Sequence, residues 1–373
     1  MSDIAFKDHF NRESATRLGN SIQAVYPAFD TATYANQVAD AIEGLELKAR
    51  VTEMTRLLYQ HLPADYETAV DILVQSLGDE HSEAEGMFTD GWYLMPVAHF
   101  VEIYGLDHFD ASMSALNQIT RRHTGEFAIR PFIERYPDQA LATLREWVHS
   151  DSFHVRRLVS EGTRTRLPWA SRLHLFIDDP TPVLELLHVL RDDPVKYVQK
   201  SVANNLNDLI KDHRKRITTL LIDWHADAPT ASRQWIIQHA SRNLLKDGDP
   251  QILAVLGYTG TDAIHLQDAE LSTNTIALED SLDFSYTAHN TSQQSHQILL
   301  DYVLAYRLKN GELSHKVFQI KKLSLKPDAK IHITKSIKMA STTTRQHYSG
   351  EHHIILRVNG QDMQTLDFSV TDS

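Results

Sequence analysis

The spacing of apolar residues changes once along this chain, and the change falls at Gly257-Tyr258-Thr259-Gly260-Thr261-Asp262. Before this stretch apolar residues recur at three and four positions, as in Thr52 to Leu62 and Tyr66 to Leu77, which is the period of a helix with one buried face. After it they alternate, as in Leu282-Asp283-Phe284-Ser285-Tyr286, Tyr302-Val303-Leu304-Ala305-Tyr306, Lys330-Ile331-His332-Ile333 and His353-Ile354-Ile355-Leu356-Arg357-Val358. Turn signals at Lys309-Asn310-Gly311 and Val358-Asn359-Gly360 divide these runs. The two periods need different architectures, so two domains are expected: a helical one over residues 1–258 and an all-β one over 263–373. About seven short strands in the second suggest a β-sandwich.

The helical part repeats itself. Val155-Arg156-Arg157-Leu158-Val159-Ser160-Glu161 lies over Val198-Gln199-Lys200-Ser201-Val202-Ala203-Asn204 at an offset of 43, and a fainter third copy around Trp235 to Ala240 lies 37 further on. Periods near 40 built from helix pairs are the mark of HEAT-like arrays, which expose one set of helices along a concave surface. Arg157, Glu161 and Lys200 would line that surface; an irregular helical bundle is the alternative. Residues 1 to about 110, broken near Pro27, Pro63 and the Gly78 to Gly86 loop, read as a cap, with Lys7, Arg12 and Arg17 able to meet a phosphate backbone.

With no cysteine among 373 residues, disulfides, thiolate chemistry and cysteine-ligated zinc are excluded. The charged start of the chain is no signal peptide, and no apolar run approaches the roughly 20 residues of a membrane helix. The expectation is therefore a cytoplasmic protein without membrane contact, and a monomer. A formal charge of −12 speaks at first against nucleic acid. Its distribution reverses the argument, because Arg121 to Arg172 holds ten Arg and no Lys against six acidic residues. Arg is the residue suited to planar contacts with phosphate oxygens; the other reading is a solvated face laced with ion pairs. Between Lys316 and Lys338 seven Lys stand against Asp328 alone, which suits either a second DNA contact or edge strands blunted against aggregation.

The run from His154 to Trp169 carries the chemistry. Val155, Leu158, Val159 and Gly162 fall on one side of a helix, with Arg157, Glu161 and Arg164 on the other, facing solvent. Gly162 is a natural stop, and Leu167-Pro168-Trp169 then returns a large ring toward Glu161. These residues, together with Glu126-Phe127-Ala128-Ile129-Arg130-Pro131-Phe132, resemble the AlkC branch of the AlkC/AlkD-type DNA alkylation repair glycosylases along the length of the chain. One departure is Thr165, where that family's loop has Pro. The resemblance implies a mainly α protein, a HEAT-like helical-repeat solenoid with a C-terminal immunoglobulin-like sandwich. It also implies an enzyme acting on double-stranded DNA, without a cofactor and without a conventional base-flipping pocket.

A purine alkylated at N3 or N7 is a cation and a good leaving group, so its removal needs no general acid. It needs stabilisation of the sugar cation and a placed water, and a carboxylate supplies both. Glu161 is the first candidate because the dipole disfavours an acid at a helix C-terminus; an ion pair with Arg157 or Arg164 is the alternative. Asp208 lies on the polar face of its helix, and Glu126 follows Thr124 as an ordinary helix-start acid; both are included because they match active-site carboxylates of the resembling family. Trp169 offers an electron-rich face to a cationic base, or serves as a packing anchor. Arg130, Arg157, Arg164, Arg166 and Lys200 are the expected DNA contacts. The substrate class is cationic alkylated bases, 3-methyladenine foremost and 3-methylcytosine a further candidate; the competing function is a non-catalytic HEAT-repeat scaffold for DNA or protein. No metal is expected: the adjacent pair His352 and His353 would point to opposite faces of a strand.

Overall fold

The computed structural model describes residues 5–83, 91–341 and 346–372. Part of the Gly78 to Gly86 loop read from the sequence lies outside them. The chain divides into two compact units, the first running up to 217 together with 229–240, the second comprising 218–228 and 241–373. Among the described residues no helix is long and apolar enough to cross a membrane.

The first unit is built of helices, and the three aligned segments occupy Phe153–Gly162, the start of Lys196–Ala226, and Ala231–Ala240. The aligned apolar positions are interior in the first two segments, Val155, Leu158 and Val159 and then Val198 and Val202, whereas in the third the offset of 37 falls on half-buried Trp235 and His239, and the interior residues are Ile236, Ile237 and Ala240. Pro137–Trp147 precedes the first of them and Thr181–Leu190 lies between the first and the second; both pack against the Phe153–Gly162 helix as the second members of helix pairs. The long Lys196–Ala226 element is itself a pair, because His213 leaves helical geometry (φ −126°, ψ 42°). Stacked pairs bury a face of each helix against the next pair as well as within its own. A residue polar by helical spacing can therefore be interior here.

Gly162 ends the Phe153–Gly162 helix, but not by adopting a left-handed turn. A methyl group placed on it would sit 2.6 Å from Ile129 Cγ2, so the residue is small because the turn before Arg130 approaches there. Gly162→Ala is expected to cost about 1–3 kcal/mol through overpacking, measured as a lower midpoint in denaturant unfolding.

The second unit contains the strands β1 (Ile264–Leu271), β2 (Thr275–Ala277), β3 (Ser281–Asn290), β4 (His296–Arg307), β5 (Leu313–Leu325), β6 (Lys330–Lys338), β7 (Gly350–Val358) and β8 (Gln361–Thr371). They form two sheets, β1-β3-β6 and β2-β8-β7-β4-β5, antiparallel except where β2 runs beside β8. Phe284, Tyr286, Leu300, Tyr302, Leu304, Ile354 and Leu356 fill the space between. The lysine-bearing strands β5 and β6 are both edge strands, the place where lysine discourages further pairing.

β3 alternates buried and outward residues, whereas β4 is buried on both faces from Ile298 to Ala305. Beside β4, the Arg242–Lys246 helix, which precedes the glycine stretch, packs against β5. The Lys246 carbonyl accepts from Arg357 Nη1 at 3.0 Å. A methyl on Gly248 would lie 2.7 Å from the Gly360 carbonyl oxygen, and one on Gly360 3.0 Å from Leu253 Cδ1. The expected division between 258 and 263 thus marks the change from helix to strand, whereas the packing boundary lies upstream and takes in 218–228 and 241–256.

Asp301 on β4 is 2% exposed, and burial pushes its carboxyl up to about 6 against the pull of Arg357, Lys322 and Lys246. A carboxyl that keeps its proton longer in the folded state makes stability fall as pH rises from about 4 to about 6. Asp301→Asn should leave unfolding unchanged near pH 3 and add about 1–3 kcal/mol at pH 8, as compared by denaturant titration at the two pH values.

Candidate active site

Glu161 occupies the last turn of the Phe153–Gly162 helix, Arg157 lies one turn earlier on the same face, and Arg164 follows in the loop. Arg164 donates through Nη1 to Glu161 Oε1 at 2.7 Å and through Nε to Asp208 Oδ2 at 2.8 Å. Arg157 reaches Glu161 Oε1 at 3.5 Å with Nη2, while its Nη1 donates to Glu126 Oε2 and, at 2.9 Å, to Thr124 Oγ1. Thr124 in turn donates to Glu126 Oε2 at 2.8 Å. The result is an unbroken chain, Glu126–Arg157–Glu161–Arg164–Asp208, of three carboxylates separated by two guanidinium groups. All three carboxylates expected from the sequence are brought together.

They are not on a solvent-facing surface, which corrects the sequence reading: Glu126 is 9%, Glu161 5%, Asp208 5%, and Arg157 and Arg164 each 8% exposed. Burial pushes the Glu161 carboxyl up, but Arg157, Arg164 and the Ser201 hydroxyl outweigh it and hold the group below the ordinary carboxylate range. Burial likewise pulls on Arg157, and its carboxylate neighbours outweigh it. The Arg157 guanidinium also stands 4.8 Å from the centre of the Tyr197 ring, whose hydroxyl burial pushes up to about 12. Formally the chain holds three negative and two positive charges, with Lys211 Nζ at the rim, 3.7 Å from Asp208 Oδ1.

Glu126 does not begin a helix. It sits in the turn of residues 125–129, where Thr124 Oγ1 also accepts from its backbone N–H at 3.2 Å. Ser201 was invisible to the motif reading, yet it donates to Glu161 Oε2 at 2.6 Å. The 43-residue offset held the signal, since it sets Ser201 against Leu158, a polar residue against a core one.

Comparison with known proteins joins this geometry to a family. Residues 265–372 match the family described as the C-terminal Ig-like domain of the uncharacterised protein YhaZ. Over its whole length the chain is 35% identical to the uncharacterised YhaZ of Bacillus subtilis (strain 168), covering 99% of this chain and 100% of that one. The solved Pseudomonas fluorescens alkylpurine DNA glycosylase AlkC, bound to DNA containing an abasic site analog, superposes with a TM-score of 0.89 at 31% identity, covering 99% of this chain and 100% of that one. The chain belongs to the AlkC/YhaZ family.

The remaining residues expected to touch DNA in an AlkC-type chain divide sharply. Arg130 is 3% exposed and donates from Nη1 to the carbonyls of Gly162 (3.0 Å) and Arg164 (2.8 Å) and from Nη2 to that of Ser171. It caps the end of the Phe153–Gly162 helix from outside, where carbonyls lack partners, and burial pulls its guanidinium down to about 10. Arg157 and Arg164 are likewise committed to carboxylates rather than presented to phosphates, and Arg166 is half-buried on Asp212 at 2.6 Å. Among these candidates only Lys200 is exposed. Trp169 is 67% exposed, so it is no packing anchor. Its φ of 66° is a strained geometry for a non-glycine residue, and its carbonyl accepts from Lys48 Nζ. Its ring joins Lys48, Phe127, Arg130, Glu134 and Ser171 around a cavity of about 220 Å³ rather than lying against Glu161.

Proposed function

We propose that this AlkC/YhaZ-family protein is a monofunctional DNA glycosylase that hydrolyses the N-glycosidic bond of cationic alkylated bases in double-stranded DNA, 3-methyladenine foremost. The observation that carries the reading is the charge of the buried chain: three carboxylates face two guanidinium groups in a site shielded from water. A buried excess of negative charge is costly on its own and favourable once a cation forms beside it. The deoxyribose develops such a cation as its bond to the base stretches, and the alkylated base leaves as a neutral molecule without a proton donor. A carboxylate edge then orients the water that attacks C1′. The likeness to the Pseudomonas enzyme, an alkylpurine glycosylase bound to DNA, supports the same assignment.

The test is release of free base from a methylated duplex by the purified protein, followed by chromatography. Accumulation of 3-methyladenine with abasic sites left in the DNA is the expected result. Tight binding to the duplex with no base released would leave the protein a helical-repeat DNA-binding scaffold.

A further inference from the structure

The Lys196–Ala226 element grips the end of the Phe153–Gly162 helix at successive turns. Ser201 donates to Glu161 Oε2 at 2.6 Å, Asn205 Nδ2 donates to the Ser160 carbonyl at 2.8 Å and to Thr163 Oγ1 at 3.0 Å, and Asp208 accepts from Arg164. Positions 201, 205 and 208 share one helical face. Ser201 is 2% exposed, and Ser160, Thr163 and Asn205 are fully buried, so water does not compete for these contacts. Ser160 Oγ shares its one proton between the Arg157 carbonyl at 3.0 Å and Ser201 Oγ at 2.7 Å, and because an ionised carboxylate can only accept, the single Ser201 proton is the one that reaches Glu161 Oε2.

We propose that Ser201 is a positioning residue for Glu161, holding its Oε2 edge in one orientation and in the charged form while Oε1 is turned to Arg164 and Arg157. This rests on the reading of Glu161 as a reactive carboxylate. Two guanidinium groups fix only one oxygen; the serine fixes the other, and the carboxylate plane with it. Charged or titratable groups face Glu161 from every side: Arg157 on its own helix, Arg164 in the loop, Tyr197, Asp208 and Lys211 on the Lys196–Ala226 element, and Glu126 in the turn of 125–129. Ser201 is the neutral hydrogen-bond donor in this set that addresses Oε2.

Two measurements on the full chain test the proposal. In single-turnover base release, Ser201→Ala should slow the reaction about tenfold or more, the weight of one hydrogen bond to a charged group, with unchanged affinity for an abasic-analogue duplex. Ser201→Thr, which keeps the hydroxyl, should return the rate to within a few-fold of the parent. In infrared difference spectra against Glu161→Gln, the Glu161 carboxylate band should titrate at higher pH in Ser201→Ala than in the parent, because a hydrogen bond to the charged form is lost. A parent rate together with an unmoved titration overturns the proposal. If the parent itself releases no base, the glycosylase reading fails, and the infrared titration still decides the role of Ser201.

Discussion

Under the proposed glycosylase reading, Glu161→Gln is expected to release methylated base about 10²- to 10³-fold more slowly than the parent, the loss that follows when one preorganised charge is removed from a buried site. The substitution fits the site: the amide oxygen can still accept from Arg164, and the amide nitrogen can donate to Ser201, whose hydroxyl accepts as well as donates. What changes is the charge, from one excess negative to balance. Affinity for an abasic-analogue duplex should stay within a few-fold, since Glu161 is 5% exposed and a buried carboxylate is no partner for a phosphate. Single-turnover release from a methylated duplex, beside an equilibrium binding titration, separates the two effects. Excision at the parent rate would reduce Glu161 to a bridge between arginines.

Arg157→Ala produces the other large effect, and in folding rather than in DNA binding. Removing a guanidinium buried between Glu126 and Glu161 takes away the counter-charge of Glu126 and leaves Glu161 with Arg164 alone, a change that costs about 3–5 kcal/mol. The pH dependence follows from Glu161. Its carboxyl lies below the ordinary range in the parent, so its contribution is present at neutral pH and is lost as pH falls through the folded value. Without Arg157 the carboxyl rises, and the variant regains part of its deficit as acid neutralises it. Denaturant unfolding at pH 5 and pH 7.5 should show a smaller gap to the parent at the lower pH. A variant of parent stability whose DNA affinity had lost salt dependence would instead restore Arg157 to the phosphate-contacting role expected from the sequence.

That expectation shows where sequence reasoning reached and where it stopped. The two-period pattern placed the strands correctly because one-sided burial writes itself into alternation, as in β3. The motif pointed to Glu161, and the family resemblance added Glu126 and Asp208, which the fold brings into the same chain of charges. It failed on burial, because helical spacing sorts Arg157, Glu161 and Arg164 onto a polar face and a polar face is taken to meet water. Here that face meets another helix carrying its own polar residues, Ser201, Asn205 and Asp208, and charges that satisfy each other leave no apolar trace. The position of the second unit's edge was hidden for a related reason. Gly248 and Gly360 bring backbone to backbone, and a contact without side chains has no signature in composition.

The alternating chain of charges spans residues 126 to 208, drawn from a turn, a helix end, a loop and a second helix. None of these segments holds a centre by itself. A nascent or partly opened chain carries the same acids in water, where each is an ordinary solvated carboxylate without reactive character. The arrangement is therefore complete only when all four segments are docked, and is lost when any of them parts from the rest. For the proposed glycosylase, activity would then depend on the assembled fold, because a copy in which these segments have parted holds no set of facing carboxylates and guanidinium groups.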